Sequence, residues 1–238
     1  SEKVFQSAIS RNEKDTIDVV LIIGESYNKY HSSLYGYYLN TTPILCEQQK
    51  SGNLFVFTDA ISPYNMTTLA VKNMLSTNSI SLHQSWNEYP LVMTLFRHAG
   101  FDVAMWDNQK SENSVLFSDF SNNSLFYNKK MTASTYHHLN KGPFDYDQQL
   151  VDTALTVKRN PGSTFTVFHL MGQHTLPLWR YPENDKNAVF TADSIQRADL
   201  NDYERQYIAE YDNATRYNDF VIGNIIQFYS KRNAVILY

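Results

Sequence analysis

Hydrophobic and polar positions along this chain fall into short blocks with two different periods. Asp18-Val-Val-Leu-Ile-Ile23 is a nearly unbroken β-branched run closed by Gly24, the pattern of a strand buried on both faces of a parallel sheet. Residues 54–57, 101–106, 164–170 and 234–238 predict four further strands. Between them the period becomes helical. Residues 90–99 have helical spacing and a Gly100 stop, and residues 69–75 follow a cluster of capping residues. The longest periodic stretch is 203–229, where Ile208, Tyr211, Thr215, Ile222, Ile225, Ile226 and Tyr229 fall largely on one stripe. Strands alternating with helices predict an α/β fold layered around a mostly parallel sheet. The polar stretches 110–148 and 183–202 lack sustained periodicity and read as long loops. Residues 1–16 read as a polar N-terminal extension and 17–238 as one domain, since 238 residues are enough for one sizeable core.

Composition narrows this picture only a little. The net charge of -4 leaves no broad basic field, so nucleic acid is not an expected partner. The single cysteine, Cys46, has no Cys or His at metal-ligand spacing and reads as a small buried apolar residue. No apolar run approaches the roughly 20 residues of a membrane-spanning helix. A monomeric domain is the default.

The candidate chemistry sits at strand ends. In open α/β sheets ligands bind beyond the carboxyl ends of the strands. Glu25 follows the first strand, Asp107-Asn108-Gln109 follows another, and His169 closes a third with His174 shortly after it. Each has an ordinary structural reading: a cap carboxylate, or a packed histidine. Their repetition at one edge is what points to a site. Thr67 and Thr68 stand where a helix is predicted to start. They fit a helix cap, and equally a nucleophile facing a phosphoryl group bound by free helix-start N–H groups.

Taken together, the motifs resemble a known family. Val20-Leu-Ile-Ile-Gly-Glu-Ser26, then His31-Ser-Ser-Leu-Tyr-Gly-Tyr37 and Thr41-Thr-Pro43, is similar to the opening of the lipid A phosphoethanolamine transferases, which include the mobile colistin resistance enzymes and belong to the alkaline-phosphatase/sulfatase superfamily. Asn65-Met-Thr-Thr-Leu-Ala-Val-Lys-Asn-Met-Leu-Ser76 resembles the helix that carries the nucleophile, and alignment back from Met74-Leu75-Ser76 places that role on Thr67. Where this helix often carries a cysteine in the family, the chain has Asn73. Trp106-Asp-Asn-Gln109, His169-Leu-Met-Gly-Gln-His174 with Arg180-Tyr181-Pro182, and Tyr211-Asp-Asn-Ala214 match further family segments.

The resemblance implies an alkaline-phosphatase-like three-layer α/β/α sandwich. It implies Zn2+ held by Glu25 and Thr67, with His174 near a second metal position and Asn108 and His169 as substrate contacts. The implied reaction moves phosphoethanolamine from phosphatidylethanolamine to a cell-envelope glycolipid through a covalent phospho-threonine, at the periplasmic face of the inner membrane, in proteins anchored by membrane helices. The family's last strand runs into Ser-Asp-His-Gly-Glu, whose Asp and His are metal ligands. The sequence here stops at Tyr238, so those ligands are expected beyond it, and residues 17–238 are expected to be a truncated and inactive catalytic domain. Three alternatives stand beside this reading. A sulfatase or phosphodiesterase-type hydrolase would use the same fold, though no Cys/Ser-x-Pro-x-Arg sequence occurs. A phosphoglycerol transferase would share the threonine. A non-catalytic binding domain would lack a complete metal site.

Overall fold

The computed structural model describes residues 16–79, 81, 85–109 and 129–238. Five parallel strands form one sheet: β1 (Asp18–Ile23), β2 (Asp102–Asp107), β3 (His138–Leu139), β4 (Thr164–His169) and β5 (Ala234–Leu237), in the order β3-β2-β4-β1-β5. The helices are α1 (Pro43–Lys50), α2 (Thr67–Met74), α3 (Val92–His98), α4 (Lys129–Thr135), α5 (Asp147–Thr156) and α6 (Asp202–Tyr229).

Alternation along each strand sorts its side chains onto two faces, as the pleat requires. Val20, Ile22, Ala104, Trp106 and Phe168 point to one face and pack with Leu45 of α1, Leu150 and Val151 of α5, and Val221, Ile222 and Ile225 of α6. Ile23, Val103, Met105, Phe165 and Val167 point to the other and meet Val71 and Leu75 of α2 and Met93 of α3. The result is the expected three-layer α/β/α sandwich. All six positions of β2 and of β4 are buried, including those of their acidic and hydroxyl residues.

Several expectations need correction. Residues 54–57 belong to no strand. Their side chains do alternate, with Phe55 89% and Phe57 72% exposed. Among the described residues no neighbouring strand pairs with them, and without a ladder an alternating run is not a sheet strand. Part of the stretch read as loop, 110–148, holds α4, β3 and the start of α5; residues 110–128 lie outside the described set. Cys46 is only half-buried, with its Sγ 3.6 Å from Ser33 Oγ.

The long helix α6 carries more than an apolar stripe. Asp212, Asn213, Asn218 and Asp219 are buried along it. Each carboxylate ties a distant segment to the helix. Asp219 accepts from the Ile44 and Leu45 amides at 2.8 and 3.0 Å, so a side chain of α6 caps the start of α1. Asp212 accepts from Tyr37 Oη at 2.8 Å and meets His31 Nδ1 at 2.8 Å.

Candidate active site

Register brings the site together. β1, β4 and β2 are adjacent, and Ile23 and Asp107 are both Cα partners of His169. The three carboxyl ends therefore finish level. The residues just beyond them, Glu25, Asn108 and Leu170, emerge at one edge although they lie far apart in sequence.

The backbone at Glu25 is held on three sides. Ser26, immediately after it, has φ +52°, a conformation that costs a non-glycine residue of order 1–3 kcal/mol and needs surrounding support. Tyr211 on α6 supplies that support, its hydroxyl donating to Ser26 O at 2.5 Å and accepting from Asn28 N at 2.9 Å. On the other side Gln173 N donates to Glu25 O at 3.0 Å. Gly172, at φ +53°, lies so close that a Cβ there would stand 2.9 Å from both N and O of Glu25. This turn is cinched by Asp147, whose Oδ1 accepts from Met171 N at 2.8 Å and whose Oδ2 accepts from Gly172 N at 2.9 Å. Asn108 Nδ2 donates to Asp147 Oδ1 as well, at 2.8 Å. Burial pushes the Asp147 carboxyl up, against the pull of those three donors.

The side chains then form a chain of contacts. Thr67 Oγ1 donates to Glu25 Oε2 at 2.9 Å. Glu25 Oε1 faces His169 Nε2 at 3.6 Å, an ion-pair distance beyond a hydrogen bond. His169 Nδ1 meets Asp107 Oδ1 at 3.1 Å. Burial alone would raise the Glu25 carboxyl, but the His169 and Thr67 contacts outweigh it and hold the group below its ordinary range. Burial disfavours the charged form of His169, yet Asp107 and Glu25 on its two sides raise its pKa to about 9. Thr67 is the first residue of α2, and Met66 before it makes no side-chain cap. Met66 therefore offers no side-chain acceptor to the first amides of α2, which lie beside the threonine hydroxyl where a phosphoryl group would be favoured.

Of the residues singled out from sequence, the structure brings Glu25, Thr67 and His169 into one cluster. Asn108 is buried at its edge with both polar ends committed, Nδ2 to Asp147 and Oδ1 to Phe144 N at 2.7 Å. His174 is half-buried, and among the described residues no hydrogen bond or ion pair joins its side chain to Glu25 or Thr67. Asp107 was named among the strand-end residues without a role of its own, and Asp147 and Gln173 were given none. Asp107 stood in the quoted Trp106–Gln109 segment, so its signal was visible. Asp147 gave none, because its partners are backbone amides 24 and 25 residues away.

A carboxylate and a hydroxyl oxygen 2.9 Å apart suit zinc as two of its ligands. Among the described residues no group of three or more His, Cys, Asp or Glu side chains converges to complete a site.

Comparison with known proteins agrees with the geometry. The Sulfatase family profile matches residues 17–238. The phosphoethanolamine transferase EptC of Escherichia coli K12 is 29% identical over 231 residues, covering 94% of this chain and 38% of that protein. The Kdo(2)-lipid A phosphoethanolamine 7''-transferase of the same strain is 26% identical over 240 residues, 99% of this chain and 40% of that protein. The chain thus spans about two fifths of the length of these curated relatives. The zinc complex of the C-terminal periplasmic domain of EptC from Escherichia coli superposes with a TM-score of 0.75 at 24% identity, over 95% of this chain and 63% of that one. The likeness establishes the alkaline-phosphatase-like fold. With its profile matched from the first strand to the last residue, the chain belongs to the Sulfatase family.

Proposed function

We propose that this chain carries the nucleophile of a phosphoethanolamine transferase acting on a cell-envelope glycolipid. The observation that carries the reading is the 2.9 Å hydrogen bond from Thr67 Oγ1 to Glu25 Oε2 at the uncapped start of α2. A hydroxyl pointed at a carboxylate, beside helix-start amides, is the arrangement a phosphoryl-transfer nucleophile needs. The names of the two curated relatives support phosphoethanolamine as the group moved, and lipid A as one acceptor class. The superposed domain is described as periplasmic, which supports the same location here.

In this reading Thr67 gives its proton to Glu25 Oε2 along the hydrogen bond. Its Oγ1 attacks the phosphorus of phosphatidylethanolamine. The bond from phosphorus to the glycerol oxygen breaks, diacylglycerol leaves with a proton from water, and phosphoethanolamine stays on Thr67. An acceptor hydroxyl or phosphate then displaces Oγ1, any acceptor proton passes to the hydroxide left by the first half, and Glu25 returns its proton to Oγ1, restoring the threonine. The amides of α2 meet the non-bridging oxygens on which charge accumulates. A zinc ion bound at Glu25 and Thr67 would lower the hydroxyl pKa and draw off phosphoryl charge.

The test is intact-mass spectrometry of the full-length catalytic domain, including the segment expected beyond Tyr238, after incubation with zinc and phosphatidylethanolamine. A phosphoethanolamine adduct mapped to Thr67, and missing from Thr67→Ala, is the expected result. Zinc binding without any adduct would instead favour a different donor or a hydrolase.

A further inference from the structure

We infer that Asp107 and His169 are positioning residues that aim the Glu25 carboxylate at Thr67, and that neither touches substrate. The inference rests on the reading of Glu25 and Thr67 as the reacting pair. His169 is 1% exposed and Asp107 is fully buried, so no substrate reaches either side chain without opening the sheet edge. Their geometry is that of a buttress. Asp107 and His169 are Cα partners on neighbouring parallel strands, fully inside the sheet, and their side chains meet at 3.1 Å through Nδ1. That contact fixes the imidazole plane and turns Nε2 toward Glu25 Oε1, 3.6 Å away. His169 Nε2 has no hydrogen-bond partner of its own among the described residues. A buried imidazole nitrogen with nothing else to meet costs free energy unless it faces charge, and Glu25 Oε1 is the charge it faces. The carboxylate is planar, so holding Oε1 against His169 sets the direction of Oε2, the oxygen that receives the Thr67 hydroxyl. Asp107 is braced in turn. Its Oδ1 accepts from Gln109 N at 2.8 Å, and its backbone is paired with the Asn140 side chain at 2.9 and 2.8 Å. The buttress thus begins in the sheet and ends at the nucleophile. Outer partners of a ligand group commonly change metal affinity 10- to 100-fold when removed.

The test uses Asp107→Asn, His169→Leu and His169→Gln, each checked for folding by circular dichroism. Crystal structures give one readout that needs neither metal nor activity. In Asp107→Asn and His169→Leu the Glu25 Oε2 to Thr67 Oγ1 separation should open beyond about 3.5 Å. In His169→Gln, whose amide can still face Oε1, the separation should be largely kept. Zinc titration calorimetry gives the second readout. The two disruptive variants should bind about 10- to 100-fold more weakly. Asp107→Asn should add nothing once Glu25 is already Gln, because a buttress acts only through the group it holds. A Glu25–Thr67 contact unchanged in both disruptive variants overturns the proposal. So does an Asp107→Asn loss that persists in full on the Glu25→Gln background. If wild-type protein forms no phosphoethanolamine adduct while the crystallographic result holds, the transferase reading fails and the buttress stands.

Discussion

Single residues in this protein divide by what surrounds their charge. Asp102 and Asp107 occupy the two ends of β2, and both are buried. Asp102 is fully compensated, receiving Arg159 Nε at 2.7 Å, Asn160 N at 2.9 Å and Asn160 Nδ2 at 3.1 Å, with His138 Nε2 at 3.2 Å. Burial pushes its carboxyl up, but Arg159 and Asn160 prevail and its pKa lies below the ordinary value. A depressed folded pKa means the native state binds fewer protons than the unfolded one. The stability this group supplies is therefore complete above the unfolded value near 3.9 and is lost as pH falls through the folded value. Asp102→Asn should lower stability at pH 7 by at most about 3 kcal/mol, the lower end of the cost of breaking a buried pair, because the partner Arg159 is only partly buried. Urea melts at pH 7 and pH 3 should show that deficit shrinking in acid; an equal deficit at both would refute the account. Gly172 is the other decisive single position. Gly172→Ala would add a Cβ 2.9 Å from the Glu25 backbone at a φ of +53°. We expect a loss of about 1–3 kcal/mol in thermal unfolding together with weaker zinc binding, because the group displaced is Glu25 itself. A destabilised variant with wild-type zinc affinity would show that the turn serves the fold alone.

At the scale of elements, the motif that carries the family resemblance turns out to be architecture as much as chemistry. The residues 31–42 form a hydroxyl knot. Thr41 Oγ1 accepts from Ser33 N at 3.0 Å and donates to His31 O at 2.8 Å, while Thr42 Oγ1 accepts from Leu34 N at 2.9 Å. This knot feeds directly into α1, whose first amides are capped by Asp219 of α6. Asp212 and Tyr211 on the same helix hold His31, Tyr37 and Ser26. α6 is therefore the spine against which the loop after Glu25 is set. Asp219→Ala should cost about 0.5–2 kcal/mol for the lost cap, with Asp219→Asn, which keeps one of the two accepting oxygens, recovering only part of it. Differential scanning calorimetry of the two variants decides this, and equal losses would mean that the amide contacts are incidental.

The whole molecule places its reactive and its vulnerable surfaces on different parts of one sheet. The candidate site lies where the buried central strands β1, β4 and β2 end together. Among the described residues β5 is the outermost strand on its side, with Val235 47% and Leu237 50% exposed. Outer strands with apolar side chains pair readily with other chains. Residues 1–238 taken alone should associate with rising concentration in light scattering, and Leu237→Lys should suppress that association. Scattering identical in the two would refute the role of this edge.

Periodicity alone was enough to read β1, β2, β4, β5 and the long α6, because a strand buried on both faces is a continuous apolar run and a helix packed on one side is a stripe. The placement of Glu25 at a strand end was also legible as a local feature, while the choice of Thr67 over Thr68 came from the family resemblance. Residues 54–57 misled because alternation describes one strand's faces and says nothing about a pairing partner. β3, with two residues, is too short to show a period. Only the tertiary structure determined that Asp107, His169, Glu25 and Thr67 form one chain of contacts, and that Asp147 secures the turn against Glu25. Such contacts depend on strand order and register, which bring together side chains as far apart in sequence as Glu25 and His169, at the ends of β1 and β4. Sequence dictated which residues lie at the edge of the sheet; packing of the parallel strands decided which of them touch.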